Sequence, residues 1–379
     1  MKRIDSDYCV IGGGIAGLSM ARELARSGAS VTIVERDAFG RGAAWQAAGM
    51  LAPMVEARLQ EQGVTAFMLE ALEYFKAFAV ELQGETGIDI QLSTDGSLLV
   101  GVDRDDTEKW RHRYEEYRQM NLPVEWLSGY ECREIEPYLA TGIPGGIYSR
   151  ADEQVDNRRL LDALVSSCAA ADTVTMIENS GEGELVVSGE HVTCYRAGEL
   201  EVHADRYIAA TGARVGWLRN ALPEIARSIR PVKGQVIRLD QSRMPLVSHL
   251  IRTPKMYLAP KVDGTLVLGA TSEEKGFDAS ITAGEIMELL RAAWETVPGI
   301  FELPIIETAA DFRPASVDHA PLLGATSLEN VDVATGYFRH GVLVAPYAAS
   351  ILVAQRTSGT HSRWLEQFSP SRLGVAQTA

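Results

Sequence analysis

The chain has 379 residues, more than one hydrophobic core usually serves, so its length points to two domains. Its 46% hydrophobic and 23% charged residues are ordinary for a soluble globular protein, and a net charge of −15 argues against nucleic acid and anionic membrane surfaces as partners. No apolar run approaches the roughly 18 residues that a membrane span requires.

The opening MKRIDSDYCVIGGG does not have the shape of a secretory signal, because Asp5 and Asp7 interrupt it before any apolar stretch begins. The four cysteines, Cys9, Cys132, Cys168 and Cys194, are far apart and form no CxxC, as expected of reduced thiols in a cytoplasmic protein. The seven histidines are scattered without HExxH or HxH, so no metal centre is expected.

In chain order, YCVIGGG reads as an apolar strand ending in glycines. Ile15 to Ser27 reads as a helix burying Leu18, Ala21, Leu24 and Ala25, and SVTIVE as a second strand. This β-α-β order implies a parallel sheet. A long helical segment covers 66–82. DGSLLVGV, GGIYS, GQVIRL, MYLAP, TLVLGAT and PIIETAADF are then β-rich pieces, interleaved with helices near 105–119 and 285–297. In the latter, Ile286, Leu289, Leu290, Ala293 and Val297 share one face. NRRLLDALVSSCAA reads as helical, DRYIAATG as a buried strand, and the α/β pattern returns with VDVATG and a final helix.

The fold class is therefore α/β: a Rossmann-type dinucleotide-binding domain with an inserted, β-rich α+β substrate domain. The first is assembled from 1–85, 150–225 and 320–365, the second from 86–149 and 226–319, and 366–379 is expected to be a loosely tied tail.

GGGIAG supplies Gly12, Gly14 and Gly17 in GxGxxG spacing between a strand and a helix. Gly12 permits the tight turn, Gly14 the approach of a pyrophosphate, and Gly17 the close packing of helix on strand. Glu35 ends the second strand, where a carboxylate accepts hydrogen bonds from both ribose hydroxyls and repels a 2′-phosphate. NADP is disfavoured, leaving FAD and NAD. FAD is favoured by the placement of the site at the N-terminus, by a second nucleotide-contacting strand end at AATG (Thr211, Gly212), and by the lack of a second GxGxxG. Electrons would then pass to something other than NAD, oxygen being the simplest candidate.

RGAAWQAAGMLAP, Arg41 to Pro53, is a run of small residues that lets backbone N–H groups reach a pyrophosphate and flavin, with Met50 over the ring. In GYFRHGVLVAP a strand-end turn feeds a helix whose N-terminal N–H groups carry partial positive charge. Set under the pyrimidine edge of a flavin, they stabilise charge that develops there. In DFRP, Pro314 holds Arg313 extended, and its planar fork suits a carboxylate.

VIGGGIAGLSMARELARSG, AAGMLAP, PVKGQVIRL, MYLAPKVDGTLVLGATSEEKGFD, FRPASVDHAPLLG and GYFRHGVLVAP, in this order over nearly the whole chain, resemble the D-amino-acid oxidase superfamily, and within it glycine oxidase of thiamine biosynthesis. The resemblance implies a non-covalent FAD oxidase that converts a small amino acid to its imine, hydrolysed to glyoxylate and ammonia for glycine, with hydrogen peroxide as co-product. It carries cofactor contacts onto Ile15, Ala16, Glu35, Arg36, Ala43, Ala44, Ala48, Gly49 and Met50. It adds Tyr337, Phe338, Arg339, His340, Gly341, Val342 and Leu343, with Glu182 near the adenine. It assigns the substrate carboxylate to Arg313, with Tyr257 hydrogen-bonding it and Arg339 at the pocket rim.

No side chain is required as a catalytic acid or base, since hydride transfer to a flavin asks for position and charge complementarity. His319 and His340 are read as packing or polar-contact residues. Ser272 stands where some glycine oxidases carry a methionine, Ala43 and Ala44 replace hydroxyl-bearing residues, and Asp311 and Phe312 replace small and aliphatic ones. Glycine or another small amino acid is the expected substrate, oxygen the acceptor, and a homotetramer the implied assembly. The alternatives are a D-amino-acid or N-methyl amino-acid dehydrogenase using a carrier, and a flavin-binding protein without amine oxidase activity.

Overall fold

Eight strands form the sheet that the opening β-α-β unit begins. In the computed structural model, which describes residues 2–374, Lys2–Ile11 pairs in parallel with Val31–Val34 on one side and Leu200–Ala209 on the other. Only the last four residues of the first strand are fully buried, so the apolar YCVI stretch marks where it enters the core. Val174–Ile177 extends the sheet beyond the second strand, and Val331–Thr335 and Leu322–Ala325 extend it beyond Leu200–Ala209. The helix Ile15–Arg26 packs Leu18, Ala21 and Leu24 onto this sheet with no exposed surface on any of them. The expected Ala25 stays only half-buried.

The long helix runs over Gln62–Thr86, four residues further at each end than the apolar pattern implies, and stops at Gly87 in the left-handed region (φ 69°). Phe67, Phe75 and Phe78 anchor it in the core beneath Gly341–Ser358.

A second eight-stranded sheet runs in the order Ile305–Ser316, Ile229–Asp240, Thr265–Gly269, Tyr257–Pro260, Leu250–Arg252, Ser97–Val100, Gly145–Ser149, Val124–Ser128. Its pairs are antiparallel except where Leu250–Arg252 meets Ser97–Val100. The helix Ala283–Thr296 covers one face through Leu289 and Ala293, with Ile286 and Leu290 packed against the same core. The strands of the two sheets interleave along the chain: 2–34, 174–209 and 322–335 supply the first, and 97–149 and 229–316 the second.

The expected loose tail is corrected by the structure. Phe368 is buried, stacked with Trp364 and edge-on to Phe67, and its carbonyl accepts from the backbone N–H of Leu323 at 3.0 Å. Arg372 adds an ion pair with Asp318 at 2.8 Å. A single aromatic in a polar tail gives no sign of its partner, which lies some 300 residues away. Residues 375–379 of that tail lie outside the described residues. Among the described residues no helix is long and apolar enough to cross a membrane.

Candidate active site

The glycines between the first strand and helix are each held for a different reason. Gly12 has φ 111°, and a Cβ there would meet the Ala210 carbonyl oxygen at 2.6 Å. A Cβ on Gly17 would overlap the Gly12 carbonyl oxygen at 1.8 Å, so the helix sits on the strand end at a distance only glycine permits. Gly14 faces open space and an ordinary extended conformation, leaving its backbone accessible from the cavity it lines. Glu35 accepts from the Gly13 N–H at 2.6 Å and the Asp37 N–H at 3.0 Å, fixing its carboxylate at the lip of that cavity.

The cavity has a volume of about 720 Å³ and runs from Gly12, Glu35 and Arg36 to the second sheet. Glu182 reaches the nucleotide end because the Ser180 and Gly181 N–H groups bond the carbonyls of Glu35 and Arg36. Thr211 and Gly212 line it where the Leu200–Ala209 strand stops, Thr211 accepting from the Trp217 indole N–H at 3.1 Å.

The small-residue run forms the middle of the wall. Ala43, Ala44, Ala48, Gly49 and Met50 all line the cavity, while Trp45 turns outward between the guanidinium groups of Arg41 and Arg158. Asn157 donates to the carbonyls of Ala44 and Trp45, and Lys261 to those of Ala48 and Val155 at 2.6 and 2.7 Å. Gly49 (φ 74°) is pressed against the Val155 carbonyl, which a Cβ would meet at 2.1 Å.

At the far end, Ile305–Ser316 and the loop before Gly341 are joined. The Phe338 N–H bonds the Pro314 carbonyl at 3.0 Å, and Ala315 bridges Tyr337. Arg313 lies across Gly234, where a Cβ would meet its guanidinium at 2.4 Å, and donates Nη1 to the Thr271 carbonyl at 3.0 Å. Tyr257 lies across Gly269 in the same way, with a Cβ there meeting its hydroxyl at 2.4 Å. Burial holds the Arg313 guanidinium below its ordinary range and the Tyr257 phenol above its own. Arg339 lines the cavity as an exposed side chain; the protein around its guanidinium draws it down, Glu56 opposes this, and the charges of Arg252, Arg313 and Arg58 reinforce it. Ser272 is exposed to the cavity.

The cavity thus brings together Arg313, Tyr257, Arg339, Met50 and Ser272 with Ile15, Ala16, Tyr337, Phe338, Gly341 and Val342. Gly17 packs behind the wall. His340 and Leu343 differ from expectation, standing off the lining. His340 caps the helix Gly341–Ser358, where burial pushes its imidazole down to about 4, and Leu343 is buried in the core. A helix start turns every third or fourth side chain away from whatever its N–H groups face. His319 stacks on Phe338 at 4.8 Å, a packing role.

Sequence reasoning missed Glu56, Arg252 and Lys261. Glu56 and Arg252 form a half-buried ion pair on the cavity wall beside Arg313 and Arg339. They lie 196 residues apart, and only the closing of the second sheet unites them. Among the described residues one group, Cys194, Glu201 and His203, clusters at metal-ligand spacing, but Arg196 already holds Glu201 at 2.8 Å.

The family model for FAD dependent oxidoreductases matches residues 7–355. The chain belongs to this family. It is 30% identical over 358 residues to the glycine oxidase of Geobacillus kaustophilus, covering 92% of each chain. It is 31% identical over 374 residues to the bifunctional protein ThiO/ThiG of Trichormus variabilis, covering 97% of this chain and 55% of that one. The chain thus spans about half the length of such bifunctional relatives. The crystal structure of the Geobacillus kaustophilus glycine oxidase superposes with a TM-score of 0.89 at 28% identity, over 97% of this chain and 99% of that one. That of iminodiacetate oxidase from Chelativorans sp. BNC1 gives 0.85 at 25%, over 96% and 98%.

FAD is the family's cofactor, held here without a covalent bond, and the residues present fit it. The cavity offers an open backbone at Gly14, a fixed carboxylate at Glu35 and a continuous small-residue wall up to Met50.

Proposed function

We propose that this FAD-dependent oxidoreductase oxidises glycine or another small amino acid to its imine, with oxygen as the acceptor and hydrogen peroxide as co-product. The observation that carries the reading is Arg313: a guanidinium at the far end of the cofactor cavity, aimed by Gly234 and Thr271, with no carboxylate partner among the described residues. A bidentate bond to a substrate carboxylate completes its hydrogen bonding. Tyr257, beside it, offers its hydroxyl to the same group.

When bound, FAD supplies the two-electron acceptor for the substrate's α-hydrogen. The protein's share is to fix the substrate by its carboxylate and to exclude water around it. No residue at this end is poised as a general base. His340 is neutral near pH 7 but faces away from the cavity, and Glu56 is committed to Arg252. The substrate would therefore enter as its free amine. The buried thiols of all four cysteines fit a reducing compartment, and the cytoplasm is the location we infer.

The test is anaerobic addition of glycine, N-methylglycine, D-alanine and D-proline while the flavin's visible absorbance is followed. Bleaching that air reverses with release of peroxide is expected. Bleaching that air leaves unchanged would replace the oxidase with a dehydrogenase, and no bleaching by any of them would overturn the substrate class.

A further inference from the structure

We propose that Thr271 is a positioning residue for the substrate arginine, locked by a buried triangle of its own hydroxyl, Gln235 and Glu273. This deepens the amine-oxidase reading above and rests on it.

Two stretches of sequence meet behind Arg313: PVKGQ on the strand Ile229–Asp240, and GATSEEK at the end of the strand Thr265–Gly269. The antiparallel ladder between these strands stops where Val236 faces Gly269. Beyond it the chain leaves the sheet, and Ala270, Thr271 and Ser272 line the cavity. The Gln235 N–H, next in the ladder, donates to the Thr271 hydroxyl at 2.9 Å rather than to a backbone carbonyl. That hydroxyl donates to Oε1 of Glu273 at 2.7 Å, and the Gln235 side-chain amide donates to the same oxygen at 2.8 Å. All three residues are buried. The other two corners are tied down in turn. Gln235 accepts from the Thr282 N–H at 2.9 Å and donates to its hydroxyl at 3.1 Å. Lys275 holds the second Glu273 oxygen at 2.7 Å, and the backbones of Lys233 and Glu273 bond each other at 2.9 and 3.0 Å.

The Thr271 N–H is occupied as well, bonding the Gln235 carbonyl at 3.3 Å, so the carbonyl is the polar group that Thr271 has left to offer. It accepts Nη1 of Arg313 at 3.0 Å, the one hydrogen bond that this guanidinium makes among the described residues. A planar fork meets a carboxylate with both N–H groups in one orientation only, and rotation about its long stem sets that orientation. One bond to a fixed acceptor selects the rotation; a carbonyl free to swing with its loop would not. Closing the sheet does not require buried polar groups, since an apolar plug of the same shape is cheaper to bury. A fully satisfied network supplies what the plug lacks, a rigid direction for the Thr271 carbonyl.

The experiment titrates the holoenzyme with methoxyacetate, an unreactive monocarboxylate, and reads the perturbation of the flavin's visible spectrum. Thr271→Val keeps the shape of the side chain and the carbonyl but removes the hydroxyl. It is expected to weaken binding about tenfold when Arg313 is present and less than about twofold in an Arg313→Ala background, because the two residues act as one unit. Thr271→Ser, which returns the hydroxyl, should restore binding to within about threefold of the unmodified enzyme. If Thr271→Val does not retain flavin, Glu273→Ala, which removes the acceptor of that hydroxyl, takes its place with the same expectation. Unchanged methoxyacetate binding by Thr271→Val overturns this inference and leaves the amine-oxidase reading standing. Equal weakening with and without Arg313 assigns the triangle to stability alone and overturns it too. If Arg313→Ala itself binds methoxyacetate unchanged, the carboxylate assignment falls, and with it the basis of both.

Discussion

Lys261 donates its ammonium to the carbonyl oxygen of Ala48 at 2.6 Å, across 213 residues of sequence. The same nitrogen bonds the Val155 carbonyl at 2.7 Å, and burial draws the ammonium down to about 7. Ala48 precedes Gly49 and Met50 on the cavity wall, so a side chain just past the strand Tyr257–Pro260 holds the loop that would contact the cofactor. Lys261→Met removes both bonds and orphans two buried carbonyls, each worth roughly 1–3 kcal/mol. We expect FAD affinity to fall at least tenfold, measured by flavin fluorescence on dilution, with Lys261→Arg restoring most of it. Lys233→Met, which removes a fully buried lysine from the opposite face of the second sheet, is the control for general destabilisation. If both methionine variants lose FAD equally, Lys261 has no special part in holding the loop.

Arg313 and its planar fork give the substrate carboxylate its charge-assisted partner. Arg313→Ala should raise KM by roughly 30-fold to several thousandfold, the equivalent of about 2–5 kcal/mol. Arg313→Lys should recover only part of this, because an ammonium is a point charge without a fork. The check is the concentration dependence of anaerobic flavin reduction, and a near-normal KM would sink the assignment.

The two glycines of the turn should fail differently. Gly14 faces open space, so Gly14→Val is expected to fold with a normal melting temperature and emerge colourless, its side chain standing where a pyrophosphate must approach. Gly17→Ala drives a methyl group onto the Gly12 carbonyl and should lower the melting temperature of the FAD-free protein as well. Thermal melts with and without added FAD separate the cases; a yellow Gly14→Val protein contradicts the nucleotide reading.

Acid stability should report on the Glu56–Arg252 pair. Burial pushes the Glu56 carboxyl up, but the Arg252 guanidinium, aided by His340 and Arg339, outweighs burial and holds it at about 2. A carboxyl whose folded pKa lies below its unfolded value contributes stability that is complete above about pH 4.5. That stability drains away as pH falls toward 2, and it amounts to about 3 kcal/mol. Glu56→Gln should flatten urea midpoints between pH 4.5 and 3. At pH 7 it should cost about 1–3 kcal/mol, because the half-buried Arg252 loses its charged partner. An unchanged midpoint at pH 7 would show that the pair is not coupled to folding.

The sequence by itself determined those parts of this protein whose physics is local. GxGxxG followed by Glu35 is legible because turn, helix start and acceptor fall within one β-α-β unit, where steric need selects glycine at Gly12 and Gly17. The alternation of apolar residues placed most strands and helices, and Pro314 announced an extended Arg313. Tertiary structure decided everything that depends on which distant surfaces close on one another. It put Lys261 under Ala48, joined Glu56 to Arg252, and brought Phe368 back to Phe67. It also left Arg339 in the cavity while turning His340 and Leu343 out of it. Such pairings leave no periodicity behind, because ion pairs and buried amines are set by the register of strands that meet only after both sheets form.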